Sequence, residues 1–244
     1  MNPAWALGGG ALGLVAGSFV GALATRWPQG ESVARGRSRC DACGRTLGPR
    51  ELVPLLSFLA QRGRCRACGA PIARDHLWAE LGGAAVGASV ALIAPSWPEA
   101  LAAALFGWTL LALALLDLRH LWLPDRLIWP LFAVGIGLAA AGWGPSFVQA
   151  ALTASAAYLL LELLRRGFRR LRGREGLGGG DPKLFAALGS WLGAEPLVWT
   201  LLAASFGGLA WAALRGRAAL RQPLPLGTLL ALAAWPAYLL SRAP

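Results

Sequence analysis

Cut at its charges, prolines and glycines, the chain divides into eight apolar segments, at roughly 4–25, 77–95, 99–117, 125–142, 147–164, 183–194, 196–214 and 224–241. An α-helix needs about 20 mostly apolar residues to cross a hydrocarbon core, and most of these segments approach that length. Lipid forces every backbone N–H and C=O to find a partner inside its own segment, so the expected fold class is all-α, a polytopic membrane helical bundle. The sixth segment is short, because Gly193, Glu195 and Pro196 interrupt it. Composition agrees: 56% of the 244 residues are hydrophobic, 14% are charged and the mean hydropathy is +0.53, too apolar for a water-soluble domain. Trp5 to Thr25 lacks a basic start and is longer than a signal core, so it reads as a retained first span.

The net charge of +11 does not point to nucleic acid, since no soluble DNA- or RNA-binding module accompanies it. Its distribution gives a topology instead. Ten arginines fall in 26–76, two in 118–126, six with Lys183 in 165–183 and three in 215–221, which is 22 of the 23 basic residues. The alternate connections, Ala94 to Leu101 and Gly142 to Ser146, carry none. Positive charge stays inside, so the basic loops are expected in the cytoplasm and the N-terminus in the periplasm. The expected organisation is a first transmembrane helix over 1–25, a cytoplasmic zinc-binding loop over 26–76 and a transmembrane core over 77–244.

That loop is too small to bury a core and needs a staple. Its four cysteines supply one: Cys40-Asp-Ala-Cys43 and Cys65-Arg-Ala-Cys68, each followed by glycine (Gly44, Gly69) and separated by 21 residues. Two such knuckles place four thiolates tetrahedrally around Zn²⁺, with no coordination position left for chemistry. Disulfides would need an oxidising compartment, against the cytoplasmic reading. A redox role lacks a thioredoxin-like βαβ pattern to carry it.

A charge at the centre of a membrane helix costs about 2.5–3.5 kcal/mol on insertion scales, so each one needs a reason. Three aspartates sit at the cytoplasmic edge. Asp125 follows Pro124 and opens the fourth segment; Asp181 follows Gly178-Gly179-Gly180 and opens the sixth with Pro182 behind it. Both fit helix capping. Asp117 closes the third segment, where a carboxylate meets the negative end of the helix dipole, so some other demand must favour it. Two aspartates brought together share a proton, one acting as base on water while the other polarises a carbonyl. Glycines 178 to 180 allow a sharp turn and close approach of an extended substrate. The bare residues leave capping and catalysis both open.

Arg174-Glu-Gly-Leu-Gly-Gly-Gly-Asp181-Pro-Lys-Leu184 resembles the GxGD signature of the type IV prepilin leader peptidases. Asp117-Leu-Arg-His-Leu-Trp-Leu-Pro-Asp125, Gly17-Ser-Phe-Val-Gly-Ala-Leu-Ala-Thr-Arg26-Trp-Pro28, Pro54-Leu-Leu-Ser57 and Arg62-Gly-Arg-Cys65-Arg-Ala-Cys-Gly-Ala-Pro-Ile72 resemble its other blocks, in order along nearly the whole chain. The resemblance implies an intramembrane aspartic endopeptidase of the bacterial inner membrane with its active site on the cytoplasmic side. It implies Asp117 and Asp181 as the catalytic pair, with Asp125 in the motif but outside the pair, and Gly178, Gly180 and Lys183 as support. The implied partners are prepilin or pseudopilin precursors with a basic leader, as in type IV pilus or type II secretion systems, and the lipid bilayer. It also implies N-methylation of the mature N-terminus with S-adenosylmethionine. Gly21 stands where the family usually has Asn, and Arg50-Glu51-Leu52-Val53 where it usually has an acidic-Asn pair; both departures lie in the half that bears on methyl transfer.

Lys183 has two readings, support for ionised Asp181 or a membrane-edge lysine. Glu80 and Glu162 lie near the cytoplasmic edge, where they are expected to snorkel. His76 and His120 have no partner at metal-ligand spacing. The rival class is a non-enzymatic transporter or assembly scaffold with capping aspartates, which a repeat between the two halves would favour, and no convincing repeat is visible.

Overall fold

The computed structural model describes residues 3–33, 36–215 and 224–242. Arg35, Arg217 and Arg221, which carry part of the basic-loop pattern, lie outside the described residues. The described residues are helical, with no named strand: α1 (Pro3–Arg26), a short α2 (Leu56–Ala60), α3 (Arg74–Ile93), α4 (Trp97–His120), α5 (Asp125–Ala140), α6 (Phe147–Arg172), α7 (Asp181–Leu192), α8 (Ala194–Arg215) and α9 (Leu226–Arg242). Each apolar segment of the sequence corresponds to one of these helices, overrunning its ends by up to about two residues. Five stretches have the length and composition to cross a membrane: Trp5–Gln29 and the helices α3, α4, α6 and α8. The remaining long helices, α5, α7 and α9, have 16, 12 and 17 residues.

The chain folds as two compact units, Met1–Leu115 and Leu116–Pro244. In the first, α1 and α3 meet through their backbones. Gly9, Gly13 and Gly17, one turn apart on α1, face Gly87, Gly83 and Ala79 on α3, and a Cβ on any of these glycines would overlap the opposing carbonyl. Small residues every fourth position let two helices approach this closely where no hydrophobic effect drives them together. Outward, Leu12, Val15 and Phe19 are exposed, as lipid-facing side chains are.

In the second unit the short α7 is the core element. Leu184, Ala187 and Leu188 are fully buried, and the ring N–H of Trp191 donates to the Leu131 carbonyl of α5 at 2.8 Å. Helices α5, α6, α8 and α9 all contact α7. A helix this short is stabilised by its neighbours and not by its own propensity. Its first residue, Asp181, is thereby fixed at a buried helix start.

Candidate functional site

Asp117 lies one turn before the C-terminal end of α4, and Asp181 is the first residue of α7. Each is only 5% exposed, far less than an aspartate at a solvated helix cap. The two carboxylates are close enough for the charge of one to act directly on the other, and the Gly227 backbone amide acts on both. Among the described residues neither has a cationic partner.

What holds Asp117 is a second helix start. Its Oδ2 accepts from the Thr228 N–H at 2.7 Å and from Thr228 Oγ1 at 3.1 Å, at the first turn of α9. The dipole conflict on α4 is thus answered by the positive end of α9, whose free amides point at the carboxylate. Asp181 Oδ2 accepts from the Gly178 N–H at 2.9 Å, closing the glycine loop back onto the helix it precedes. A Cβ on Gly178 would stand 3.0 Å from that same oxygen, and one on Gly180 would stand 2.6 Å from Leu123 Cβ. A Cβ on Gly227 would meet Leu123 Cδ1 at 2.7 Å and Asp117 Oδ2 at 3.0 Å. Leu123 is therefore wedged against both glycines, and side chains at 180 or 227 would push away from it the turn that bears Asp181 and the turn of α9 that holds Asp117.

Lys183 donates to both oxygens of Asp125 at 2.8 Å, so its ammonium sits on the aspartate outside the pair. Glu80 and Glu162 do not snorkel: they are 7% and 6% exposed. Glu80 Oε2 accepts from the Leu55 N–H at 2.7 Å, and Glu162 accepts from Arg165 and Arg166 at 2.6–2.9 Å. Gly227, Thr228 and Leu123 were not singled out by the sequence. The signal that could have found the first two is Pro225 ahead of Gly227 at the start of an apolar segment, the usual grammar of a helix start placed near another backbone.

The cysteines form a second site, wholly within the first unit. The Sγ atoms of Cys40, Cys43, Cys65 and Cys68 all lie within 4.8 Å of one another, and all four cysteines are free thiols. The two knuckles repeat one geometry. Gly44 and Gly69, at φ +70° and +69°, donate to the carbonyls of Cys40 and Cys65 at 2.9 Å, while Cys40 and Cys65 donate to Arg45 and Ala70 at 2.9 Å. A tetrahedral metal with Zn–S bonds of 2.3 Å needs sulfurs about 3.8 Å apart; Cys40 and Cys68 are at 3.9 Å. The donor set fits a metal ion.

Backbone amides of Cys68 and Ala67 favour the Cys65 thiolate and bring it to about 6. At Cys68 the Ala70 amide acts in the same direction, but burial and the neighbouring thiols outweigh it and push the group up to about 11. Beside the cluster, Glu51 is held below the usual carboxylate range by the Gly48 amide and the Arg45 guanidinium.

By fold and site, the class is a multi-pass helical membrane protein carrying two buried neighbouring carboxylates and a four-cysteine cluster able to bind a metal. Residues 11–94 match the Bacterial Peptidase A24 N-terminal domain and residues 104–213 match the Type IV leader peptidase family. A prepilin leader peptidase/N-methyltransferase of Aeromonas hydrophila is 42% identical over 208 residues, covering 83% of this chain and 71% of that protein. One of Burkholderia pseudomallei (strain 1026b) is 43% identical over 199 residues, covering 80% of this chain and 64% of that protein. One of Pseudomonas aeruginosa is 37% identical over 209 residues, covering 83% and 71%. No solved structure matches the chain. The chain belongs to the type IV leader peptidase family. It is a member of a peptidase family of the membrane, and the turn of α9 that holds Asp117 lies beyond the residues that the family model matches.

Proposed function

We propose that this protein is an endopeptidase that removes the basic leader from type IV prepilins or pseudopilins at the cytoplasmic face of the inner membrane, using Asp117 and Asp181. One observation carries the reading. Two carboxylates from different helices are buried together at two helix starts, held by backbone amides and, among the described residues, by no cation. Capping alone needs no such pairing, because a cap works best at a solvated end and on its own helix.

Two like charges this close share one proton. The ionised carboxylate takes a proton from a water, and the resulting hydroxide adds to the scissile carbonyl while the protonated partner donates to the carbonyl oxygen. The tetrahedral intermediate collapses with cleavage of the C–N bond: the proton first taken from water passes to the leaving amine, and a hydroxyl of the intermediate returns its proton to the partner aspartate as the new carboxyl forms. The glycines at 178 to 180 leave space along one side of Asp181 for an extended peptide. Gly178 and Gly180 act through backbone placement.

The relatives named above are also N-methyltransferases, and we propose the same second activity here: S-adenosylmethionine supplies a methyl group to the amine that cleavage exposes. Zinc is the metal we assign to Cys40, Cys43, Cys65 and Cys68; it staples residues 26–76 and supplies no chemistry. The distribution of basic residues supports an orientation with that segment and both aspartates on the cytoplasmic side and the N-terminus in the periplasm. A transporter or scaffold is not favoured, since capping aspartates explain neither the pairing nor the burial.

The test is cleavage of a prepilin with a basic leader by the purified protein in detergent. Asp117→Asn and Asp181→Asn, confirmed folded, should each lose cleavage while Asp125→Asn retains it. Pair variants that still cut would sink the assignment.

A further inference from the structure

The first unit holds a cavity of about 510 Å³ between α1, α3 and the segment joining them. Beside Cys40 and Cys65 of the cysteine cluster, its lining carries Arg26, Arg39, Asp41, Glu51, His76 and Glu80. Arg39 is paired with Glu31, and Glu51 with Arg45. Asp41 is exposed, so water answers its charge. Glu80 differs. It is 7% exposed on an apolar helix, its one hydrogen bond among the described residues is from the neutral Leu55 amide, and that bond uses Oε2. Oε1 has no protein partner among the described residues, yet no fully enclosed side-chain oxygen is left unpaired there, so Oε1 is open to the cavity. A buried carboxylate without a counter-charge is costly, and the cost is met when a cation completes the site.

The wall beside Glu80 is strained in a way that fits a ligand site. Leu55 has φ +63° and ψ −52°, and Leu56 N–H donates to the Pro54 carbonyl at 2.6 Å, a γ-turn of the rare form with a bulky residue at its centre. Such strain persists where surrounding contacts over-determine it, commonly at binding sites. Glu80 fixes that turn, which carries Leu52 and Phe58 into the cavity lining. Across the lining, Arg26 makes no ion pair among the described residues. Among the described residues the cavity thus offers one buried carboxylate without a cationic partner, one half-exposed guanidinium without an anionic one, and an apolar wall.

We propose that this cavity binds the methyl donor, S-adenosylmethionine, with Glu80 on its α-ammonium, Arg26 on its carboxylate and the adenine against Phe58 and its apolar neighbours. The ligand matches the cavity in kind: a zwitterionic amino acid joined to a flat ring system, in a volume within the usual range for small-molecule sites. The assignment rests on the methylation reading above and adds the residues that hold the donor. Glu80 keeps one oxygen for Leu55 and gives the other to the ligand, so donor binding and the shape of the wall are linked through one side chain.

The test is isothermal titration of the full-length protein in detergent with S-adenosylmethionine, S-adenosylhomocysteine and 5′-methylthioadenosine, which lacks the amino-acid part. Wild type should bind the first two and hold the third more weakly. Glu80→Gln, which keeps an acceptor for Leu55, and Arg26→Gln should each weaken the first two by roughly 10- to 100-fold, the range for a lost charged hydrogen bond. Neither should alter the third. Wild type that cuts prepilin but binds no donor would overturn this site and leave the cleavage reading standing. Wild type that binds the donor while both variants bind it equally well would overturn the placement. If Glu80→Gln fails to fold, Arg26→Gln on the half-exposed rim decides the matter.

Discussion

Thr228 reaches Asp117 across 111 residues of sequence and places two donors, its N–H at 2.7 Å and its Oγ1 at 3.1 Å, on the single oxygen Oδ2. A carboxylate at the wrong end of its own helix is thus made tolerable by the right end of another. The same contact orients it, so the energetic remedy and the geometry proposed for catalysis are one feature.

Removing the hydroxyl while keeping the backbone amide isolates this contact. Thr228→Val should lower kcat/KM for prepilin cleavage by about 10-fold, at the low end for a hydrogen bond to a charged group, with little change in thermal unfolding. Thr228→Ser should restore most of the rate. Equal activity of the valine and wild-type proteins would show that the amide alone positions Asp117.

Leu123 makes opposite predictions for the two glycines it touches. Gly227→Ala places a Cβ 2.7 Å from Leu123 Cδ1, whereas Gly180→Ala places one 2.6 Å from Leu123 Cβ. Both single variants should lose most cleavage. Adding Leu123→Ala removes Cδ1 but keeps Cβ, so it should recover part of the activity of Gly227→Ala and none of that of Gly180→Ala. Equal recovery in both, measured as initial cleavage rates, would contradict the wedge.

The helices were legible because lipid imposes length and apolarity on each segment separately, and α1 or α8 satisfies that demand within its own sequence. The aspartate pair was legible in part: Asp117 was out of place on its helix, and the spacing of the glycines, Asp181 and Asp125 carried a family resemblance. What answered Asp117 was not legible. Gly227 and Thr228 are uncharged, carry no spacing signature, and matter only because α9 packs so that its first turn meets the end of α4. Glu80 shows the same limit. Its distance from the helix end suggested an exposed head group, but burial depends on the loop from 26 to 76 folding back over it, which periodicity does not encode.

The cysteine cluster predicts a metal content. Purified protein should carry about one zinc per chain, with X-ray absorption giving four sulfur ligands at about 2.3 Å. Chelation, or Cys65→Ser, should leave helical content nearly unchanged but expose the arginine-rich stretch between residues 36 and 74 to trypsin, because that segment has little core of its own. A protein that is metal-free and equally resistant before and after chelation, or whose mass shows two disulfides, would remove zinc from the account.

Lys183 separates the two roles open to it. Its ammonium lies 2.8 Å from Asp125 with side-chain exposures of 30% and 52%, and a pair that open to solvent contributes about 0–1 kcal/mol. Lys183→Met should therefore reduce cleavage by no more than about threefold, and the exchange Asp125→Lys with Lys183→Asp should recover what either single change loses. Asp181→Asn, by contrast, should cost at least about 100-fold, the scale of a lost acid–base group. The comparison is a direct one in the same detergent and with the same prepilin. A methionine variant as inactive as Asp181→Asn would mean that the ammonium serves the active carboxylate during turnover and leaves Asp125 to do so.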